Sequence, residues 1–295
     1  MYRNIFLLLA LISTIIVLQS CGDAVPTDYV EETYVEAYLF VNEPVRAIKI
    51  MRTLPVQDSF DINKSIIREA EVALIEGAQR IDLHYVENSI TANAGYAAVD
   101  PNYIVKPQTL YKIEIKLKNG NVITGQTLTP PTSKPIKVPP RYVNFPDDTV
   151  NYPADPSLES SWEAVPGLSY YATYLKCLDT IGYGKYLPKP TDEKNRALSF
   201  PWMQNKQQRA ETTSWAFVLS NKAPLVWNMF KWYGLHEAVV FVPDYNFLRW
   251  YFQVTMQRTI DPILSSVVGD HAIGVFGSAF AIRDTFVLVK NKPLK

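Results

Sequence analysis

The chain has 295 residues, of which 47% are hydrophobic, and its 29 basic side chains equal its 29 acidic ones. This balance argues against a nucleic-acid-binding protein, because such a protein needs a basic face that displaces counterions from phosphates. The chain has two cysteines, Cys21 and Cys177. Cys177 lies among apolar and aromatic residues, so we expect a buried thiol there.

The first twenty residues have the pattern of a signal peptide. Arg3 gives a short basic start, and an almost unbroken apolar run covers residues 6–18. This run is shorter than the roughly 20 apolar residues of a membrane-spanning helix, and a small residue, Ser20, follows it directly before Cys21. Residues 1–20 are therefore predicted to be removed, which leaves a chain long enough for two modest domains.

The end of this segment resembles the lipobox of bacterial lipoproteins, in which a leucine and two small residues precede a cysteine. Leu18, Ser20 and Cys21 match that pattern, and Gln19 does not. The resemblance implies that Cys21 carries acyl chains and becomes the new N terminus. Each buried methylene contributes roughly 0.8 kcal/mol, so several chains would hold the protein firmly at a bilayer. The alternative is an ordinary secretory cleavage that leaves Cys21 unmodified.

Residues 21–32 are predicted to be an acidic tether, since they contain four acidic side chains and no basic one. An acidic stretch after the cysteine resembles the surface-export signal of Bacteroidota lipoproteins. We therefore expect a lipid-anchored protein of the outer membrane, on either its periplasmic or its surface side.

The next segment, residues 33–134, has the composition and turn spacing of a small β-sandwich. Its clearest strand covers residues 111–117, where apolar and charged side chains alternate, and Asn119-Gly120 then predicts a hairpin turn. Further strands are predicted at residues 33–41, 45–53, 70–75, 80–86 and 122–128. Residues 135–156 follow with six prolines, which predicts an extended connector, because proline removes hydrogen-bond donors from a sheet.

Residues 157–295 are predicted to form a second β-rich domain. A strand with Trp162, a turn at Val165-Pro166-Gly167 and a strand with Tyr171 resemble the opening strands of fibronectin type III domains. That resemblance implies that the tryptophan fills the gap between two sheets. Further strands are predicted at residues 215–219, 238–242, 249–256 and 286–289, and a short helix at 224–235. The predicted fold is all-β, with an immunoglobulin- or transthyretin-like sandwich followed by a fibronectin type III-like domain with insertions.

All six tryptophans lie in this second half. We expect Trp162, Trp215 and Trp250 to lie in a core, because small sandwiches bury many aromatic side chains. An apolar segment bounded by proline is the candidate surface for contact with a partner or ligand. The candidate contact residues are Trp202, Trp227, Phe230, Trp232 and Tyr233. Burial of these side chains in a core is the open alternative.

No motif in the sequence predicts a catalytic, metal or cofactor site. The three histidines, His84, His236 and His271, lie far apart in the sequence, and no H-E-x-x-H motif or cysteine pair is present. Asp270-His271 lies near several serines, but the nucleophile elbow of hydrolases is missing, and adjacent side chains on a strand point to opposite faces. We therefore expect a protein that is not an enzyme.

Nearly the whole mature chain is similar to the Bacteroidota lipoproteins that carry domain of unknown function 4249. The matching blocks, in order, are Glu36-Ala37-Tyr38-Leu39, Asn42-Glu43-Pro44-Val45, Arg52-Thr53-Leu54-Pro55, Ala70-Glu71-Val72, Val105-Lys106-Pro107, Thr109-Leu110-Tyr111 and Ala272-Ile273-Gly274-Val275-Phe276-Gly277-Ser278. This resemblance implies an N-terminal immunoglobulin-like or transthyretin-like sandwich. It also implies frequent company with TonB-dependent outer-membrane receptors, and it implies no activity.

Two functional hypotheses follow from these features. In the first, the protein is a lipid-anchored accessory subunit of an envelope assembly, such as a TonB-dependent transporter complex. In the second, it is a surface lipoprotein that binds glycans or peptides on aromatic side chains of its second domain. The first depends on the anchor and the family resemblance, and the second on the aromatic side chains being exposed.

Overall fold

Sixteen β-strands and two α-helices are described in a computed structural model of the protein, which makes it an all-β protein, as predicted. The structure describes residues 29–55, 58–59, 61–89, 93–146, 158–198, 212–255 (254 and 255 by backbone only) and 264–290. The predicted signal peptide, Cys21, Trp202, most of the tether and residues 147–156 of the connector lie outside the described residues.

The strands follow one another along the whole chain. They are β1 (Thr33–Phe40), β2 (Lys49–Arg52), β3 (Glu71–Glu76), β4 (Gln79–Val86), β5 (Gly95–Ala98), β6 (Leu110–Lys116), β7 (Val122–Leu128), β8 (Pro135–Lys137), β9 (Tyr142–Phe145), β10 (Ser160–Trp162), β11 (Tyr171–Cys177), β12 (Thr213–Val218), β13 (Lys222–Ala223), β14 (Gly234–Pro243), β15 (Val267–Val268) and β16 (Ala272–Lys290). The helices are α1 (Ile62–Ser65) and α2 (Tyr245–Thr255).

A six-stranded antiparallel sheet contains most of the first half of the chain, in the order β15-β7-β6-β3-β4-β5. The predicted hairpin joins β6 to β7, and the predicted alternation in β6 is confirmed. Tyr111, Ile113 and Ile115 are fully buried, whereas Lys112 and Lys116 between and after them are exposed. Because successive side chains of a strand point to opposite faces, one face of this sheet is apolar and faces inward.

A seven-stranded sheet covers that apolar face. Its order is β12-β11-β14-β16-β1-β2, and β9 pairs with the far end of β16. Val35, Ala37 and Leu39 of β1 are fully buried in one cluster with Leu74 and Ile113 of the six-stranded sheet. Two sheets that bury facing apolar side chains in this way form a β-sandwich.

The C-terminal strand β16 extends across both predicted domains. It pairs in parallel with β1, from Thr33↔Ala272 to Phe40↔Ala279, and then continues beside β14 in the second half. The short strand β15 also returns to the first half, where it pairs with β7. The division predicted at residues 135–156 therefore does not coincide with a break between sheets. When two paired strands are separated by more than 200 residues of the chain, their pairing leaves no local pattern in the sequence.

A three-stranded sheet, in the order β13-β10-β8, covers the other half of the seven-stranded sheet on the same side. Trp162 at the end of β10 is 1% exposed and contacts Tyr171 edge-on at a centroid distance of 5.1 Å. It packs with Val240 and Val242 of β14. The prediction that this tryptophan fills the gap between two sheets is confirmed.

Two predicted elements are wrong. Residues 249–256 are predicted as a strand because they are rich in aromatic residues, but the described ones, residues 249–255, belong to helix α2. Asp244 caps this helix by accepting a hydrogen bond from the amide of Phe247, and Phe247, Trp250 and Tyr251 recur at the helical spacing of three and four.

The predicted helix at residues 224–235 is instead a 3-10 turn, Trp227–Met229, between two strands. Its threefold period places Trp227 and Phe230 on one side, where both are buried.

A buried polar cluster joins both sheets to helix α2. One carboxylate oxygen of Asp244, Oδ1, accepts from the amides of Phe247 (2.8 Å) and Ser278 (3.0 Å), and Oδ2 accepts from the Thr127 hydroxyl (2.6 Å). Thr127 and Ser278 also contact each other at 2.8 Å between their hydroxyl oxygens. Burial raises the pKa of Asp244. This single side chain therefore holds β7, β16 and α2 together.

Candidate functional site

Two of the predicted contact residues lie in the core, which corrects the prediction for them. Trp227 is 5% exposed and Phe230 is fully buried, and both pack with Phe286 and Leu288 of β16. The ring of Trp227 also contacts Phe145 edge-on at 5.7 Å between centroids. These rings are inaccessible to a partner, because the segment that carries them closes over the apolar face of the sheet.

The other described contact candidates, Trp232 and Tyr233, are neither fully buried nor fully exposed. Tyr233 contacts Phe145 and Tyr183 at centroid distances of 5.9 and 6.2 Å, which are ordinary packing contacts of aromatic rings. The guanidinium of Arg196 also lies over the ring of Tyr233, 5.6 Å from its centroid. Cys21 and Trp202 lie outside the described residues.

The structure exposes a different tryptophan. Trp215, which we expected in a core, is 43% exposed, whereas Trp162 and Trp250 are buried as predicted. Trp215 lies on β12, the strand at one edge of the seven-stranded sheet. The sequence shows a strand there but cannot show that the strand lies at an edge. Which side chains of this strand face inward and which face outward is also clear only once the neighbouring strands are known.

Trp215 belongs to a surface that we call the aromatic face, namely the side of the seven-stranded sheet on which helix α2 lies. Residues directly opposite each other on paired strands share a face, and the register runs Trp215↔Tyr174↔Val239↔Arg283 across four strands. Helix α2 covers the middle of this face, where Phe247 packs against Phe241, Tyr38 and Phe40. The row from Trp215 to Arg283 lies beside the helix.

A charged cluster completes this row. Arg283 contacts three groups: Nη2 donates to Oε1 of Glu43 (3.0 Å), and Nη1 donates to the hydroxyl of Tyr174 (3.2 Å) and lies 3.6 Å from Oε1 of Glu237. The Tyr174 hydroxyl in turn donates to Oε2 of Glu237 at 2.7 Å. Burial, and next this bond to Glu237, raise the pKa of Tyr174 to about 12, so its proton stays in place at neutral pH. We refer to Glu43, Arg283 and Glu237 as the Arg283 cluster.

These residues were missed in the sequence because they lie on three different strands and a turn. The available signals were weak: Glu237 and Arg283 are charged residues within mostly apolar strands. The side chains of Arg283, Glu43 and Glu237 are partly exposed, at 37%, 22% and 22%. The arrangement supplies hydrogen-bond donors, acceptors and a flat aromatic surface, which are the groups of a recognition site.

The histidines lie apart from this row and from one another. His84 and His271 are exposed, and Nε2 of His271 lies 3.6 Å from Oδ1 of the neighbouring Asp270. The hydroxyl of Ser265 donates to the carbonyl of Val267. Among the described residues, no group of three His, Cys, Asp or Glu side chains is placed to hold a metal ion.

His236 is buried and predicts a measurable pH dependence. Its ring lies between Phe230 and Phe286, with Nδ1 2.8 Å from the carbonyl oxygen of Gly234, and burial lowers its pKa to about 4. The unfolded chain binds a proton near pH 6.5, so the free energy of unfolding should fall by about 3 kcal/mol between pH 6.5 and pH 4. Urea unfolding at a series of pH values measures this loss.

Two variants separate this contribution from the rest of the chain. The variant His236→Leu should lose the part of the pH dependence between pH 6.5 and 4, whereas His84→Gln, which removes an exposed imidazole, should keep it. Equal pH dependence in His236→Leu and the unchanged protein would show that His236 is not buried in the neutral form.

Comparisons with known proteins leave the family open. No protein-family model and no curated protein matches this chain. Among solved structures, the chain is similar to the I-band fragment I67–I69 of titin, with 9% sequence identity, a TM-score of 0.20, and coverage of 89% of this chain and 66% of that fragment. Neither helix that the structure describes is long and apolar enough to cross a membrane.

Proposed function

We propose that this protein is a lipid-anchored accessory protein of the outer membrane that binds a partner or ligand with its aromatic face. Cys21 is the anchor in this proposal. The family resemblance supports a place beside TonB-dependent receptors, and it supports an immunoglobulin- or transthyretin-like identity for the first sandwich. The role is recognition rather than catalysis.

The observation that carries this proposal is the position of the aromatic face relative to the N terminus. The described chain joins the fold just before β1, where the Tyr29 hydroxyl lies 3.0 Å from the Thr53 hydroxyl and the Glu32 amide donates to that hydroxyl at 3.0 Å. The amide of Thr33 then donates to the carbonyl of His271 at 2.7 Å. Thr33 pairs with Ala272 at the start of β16, and Arg283 lies eleven residues further along the same strand. At about 3.3 Å per residue, the Arg283 cluster is about 36 Å from the end where the tether joins.

This separation suits an anchored binding protein. The eight residues from Cys21 to Tyr29 can reach at most about 29 Å, which is less than the separation of about 36 Å between Thr33 and the Arg283 cluster. An acylated Cys21 therefore keeps the Thr33 end of the fold nearer to the bilayer than the Arg283 cluster. The row from Trp215 to Arg283 then lies on the membrane-distal part of the sheet. A partner in the same membrane or a ligand from solution reaches this row without displacing the anchor.

Acylation of Cys21 is tested by metabolic labelling of cells with an alkyne analogue of palmitate. We expect the unchanged protein to be labelled and to fractionate with the outer membrane. Cys21→Ala should lose both the label and the membrane association, because no other acylation site is proposed. Cys177→Ala is the matched control and should remain labelled, since Cys177 is 4% exposed inside the second half of the fold. An unlabelled wild-type protein would contradict the anchor.

The accessory role is tested separately. Cross-linking in native membranes, followed by purification in mild detergent and mass spectrometry, should recover an outer-membrane protein together with the full chain. Glu43→Lys with Glu237→Lys, which reverses the charge of the Arg283 cluster, should reduce that recovery if the partner contacts the aromatic face. A chain that is always recovered alone contradicts the accessory role.

A further inference from the structure

Trp215 has the features of a fixed binding platform. Of the five tryptophans that the structure describes, it alone has an exposed side chain. Three aromatic rings contact its indole: Tyr174 edge-on at 4.9 Å, Tyr251 tilted at 4.8 Å and Phe241 nearly parallel at 6.1 Å between centroids. A large ring that is held on several sides loses little conformational freedom when a ligand covers its exposed part.

The Arg283 cluster extends this platform with polar groups. Trp215 and Arg283 are separated by three strand spacings, about 14 Å at roughly 4.8 Å per step. Tyr174 connects them, because its ring contacts Trp215 and its hydroxyl contacts both Arg283 and Glu237. A guanidinium has five N–H donors, more than these contacts use, and each carboxylate accepts several hydrogen bonds.

The charges of the cluster favour a neutral ligand. Arg283 pairs with both Glu43 and Glu237, and Arg46 also donates to Glu43 at 3.1 Å. Because each carboxylate of the cluster already has a cationic partner, the cluster itself offers little uncompensated negative charge to a basic ligand. Hydroxyl groups, in contrast, both accept from a guanidinium and donate to a carboxylate.

We propose that Trp215 and the Arg283 cluster form a binding site for a neutral oligosaccharide. One sugar ring stacks its C–H face on the indole of Trp215, because those hydrogens are weakly positive and the face of the indole is negative. Hydroxyls of a ring further along the same chain bond to Arg283 and Glu237. The inference rests on the proposed function, since it names the ligand class for the face that the anchored protein presents.

The open shape of the site favours an oligosaccharide over a single sugar. The row lies on a sheet surface beside helix α2, and its partly exposed groups are spread over about 14 Å. A monosaccharide would reach either Trp215 or the Arg283 cluster, whereas a chain of sugars contacts both ends. A basic peptide is the competing ligand, and it would bind Trp215 through cation–π contacts.

The test is isothermal titration of the full chain, purified in mild detergent, with cellohexaose, maltohexaose, laminarihexaose and mannohexaose, and with a Lys-Gly-Lys-Gly-Lys peptide. We expect at least one hexasaccharide to bind. Trp215→Ala should then weaken that binding by about tenfold or more, as truncation of a central aromatic contact does. Arg283→Met should weaken it as well. Tyr245→Ala is the matched control, because Tyr245 is 71% exposed but lies outside the row.

The outcomes are distinct. Binding of a hexasaccharide that depends on Trp215 and Arg283 but not on Tyr245 supports the site. No binding by any of the four saccharides, binding that Trp215→Ala leaves unchanged, or binding of the peptide alone overturns it. Circular dichroism of each variant shows whether it is folded before it is titrated. Loss of the Cys21 label would overturn the anchor and leave this titration unaffected, so failure of either idea is recognised separately.

Discussion

Gly274→Ala should unfold most of the protein or lower its free energy of unfolding by at least about 4 kcal/mol. Gly274 lies opposite Val35 in the parallel pairing of β1 with β16, and its φ of +141° is a backbone conformation that other residues rarely adopt. A Cβ atom there would lie far inside contact distance of the Val35 carbonyl oxygen, and 2.7 Å from the Val35 nitrogen. To relieve this clash, β1 and β16 have to move apart, which opens the sandwich. Urea unfolding followed by circular dichroism measures the loss.

Gly77→Ala is the matched control for the effect of backbone conformation alone. Gly77, in the turn between β3 and β4, also has a positive φ, of +57°, but a Cβ atom there meets nothing within 4 Å. We expect a loss of about 1 kcal/mol, the usual penalty for a left-handed residue with a side chain. If Gly274→Ala is no more destabilising than Gly77→Ala, the close approach of β1 and β16 is not as described.

Asp244→Ala should have the second largest effect, a loss of about 3 kcal/mol in the free energy of unfolding. The substitution removes the cap of helix α2 and leaves the Ser278 amide and the Thr127 hydroxyl without their carboxylate partner in a buried place. Asp244→Asn should lose less than about 1 kcal/mol, because its Oδ1 still accepts from both amides and its amide group still reaches Thr127. Urea unfolding of the two variants at pH 7 makes the comparison.

Asp61→Ala is the control for loss of a helix cap at the surface. Asp61 accepts from the Asn63 amide at 2.9 Å and caps the four-residue helix α1, which joins no two sheets. We expect a loss of about 1 kcal/mol or less. Equal losses in Asp61→Ala and Asp244→Ala would mean that the buried cluster contributes nothing beyond a helix cap.

These two sites show why the halves of the chain depend on each other. Gly274 and Asp244 both belong to the second half of the sequence, yet they hold β1 and β7 of the first half. Disruption at either position should therefore destabilise both sandwich layers together rather than one predicted domain alone. A single cooperative unfolding transition is the expected result.

Much of the first sheet could be predicted from the sequence, because its strands are neighbours in the chain. The alternation of β6, the Asn119-Gly120 turn and the β7 partner are local patterns, and the structure confirms them. Local composition predicted the wrong element where packing against a sheet decides the backbone conformation. Residues 249–255 are rich in β-forming aromatic residues, but the Asp244 cap and the helical spacing of Phe247, Trp250 and Tyr251 make them part of a helix on a sheet.

The candidate site was the least predictable part. Trp227 and Phe230 lie in a segment with the composition of an exposed contact surface, and the fold buries them on the inner side of a 3-10 turn. Trp215 has the composition of a core residue, and the fold leaves it at a sheet edge. Burial depends on which strands become neighbours, and an aromatic residue has the same apolar area in either setting.

By itself, the sequence determined the all-β character of the chain, its local hairpins and the pattern that predicts a lipid anchor at Cys21. These depend on side-chain periodicity, turn residues and a short targeting motif, all of which are properties of neighbouring residues. Only the tertiary structure decided that β16 joins both halves and that the row from Trp215 to Arg283 meets Glu237 and Glu43. The reason is physical: strand pairing and side-chain burial are set by contacts between residues that lie far apart in the chain.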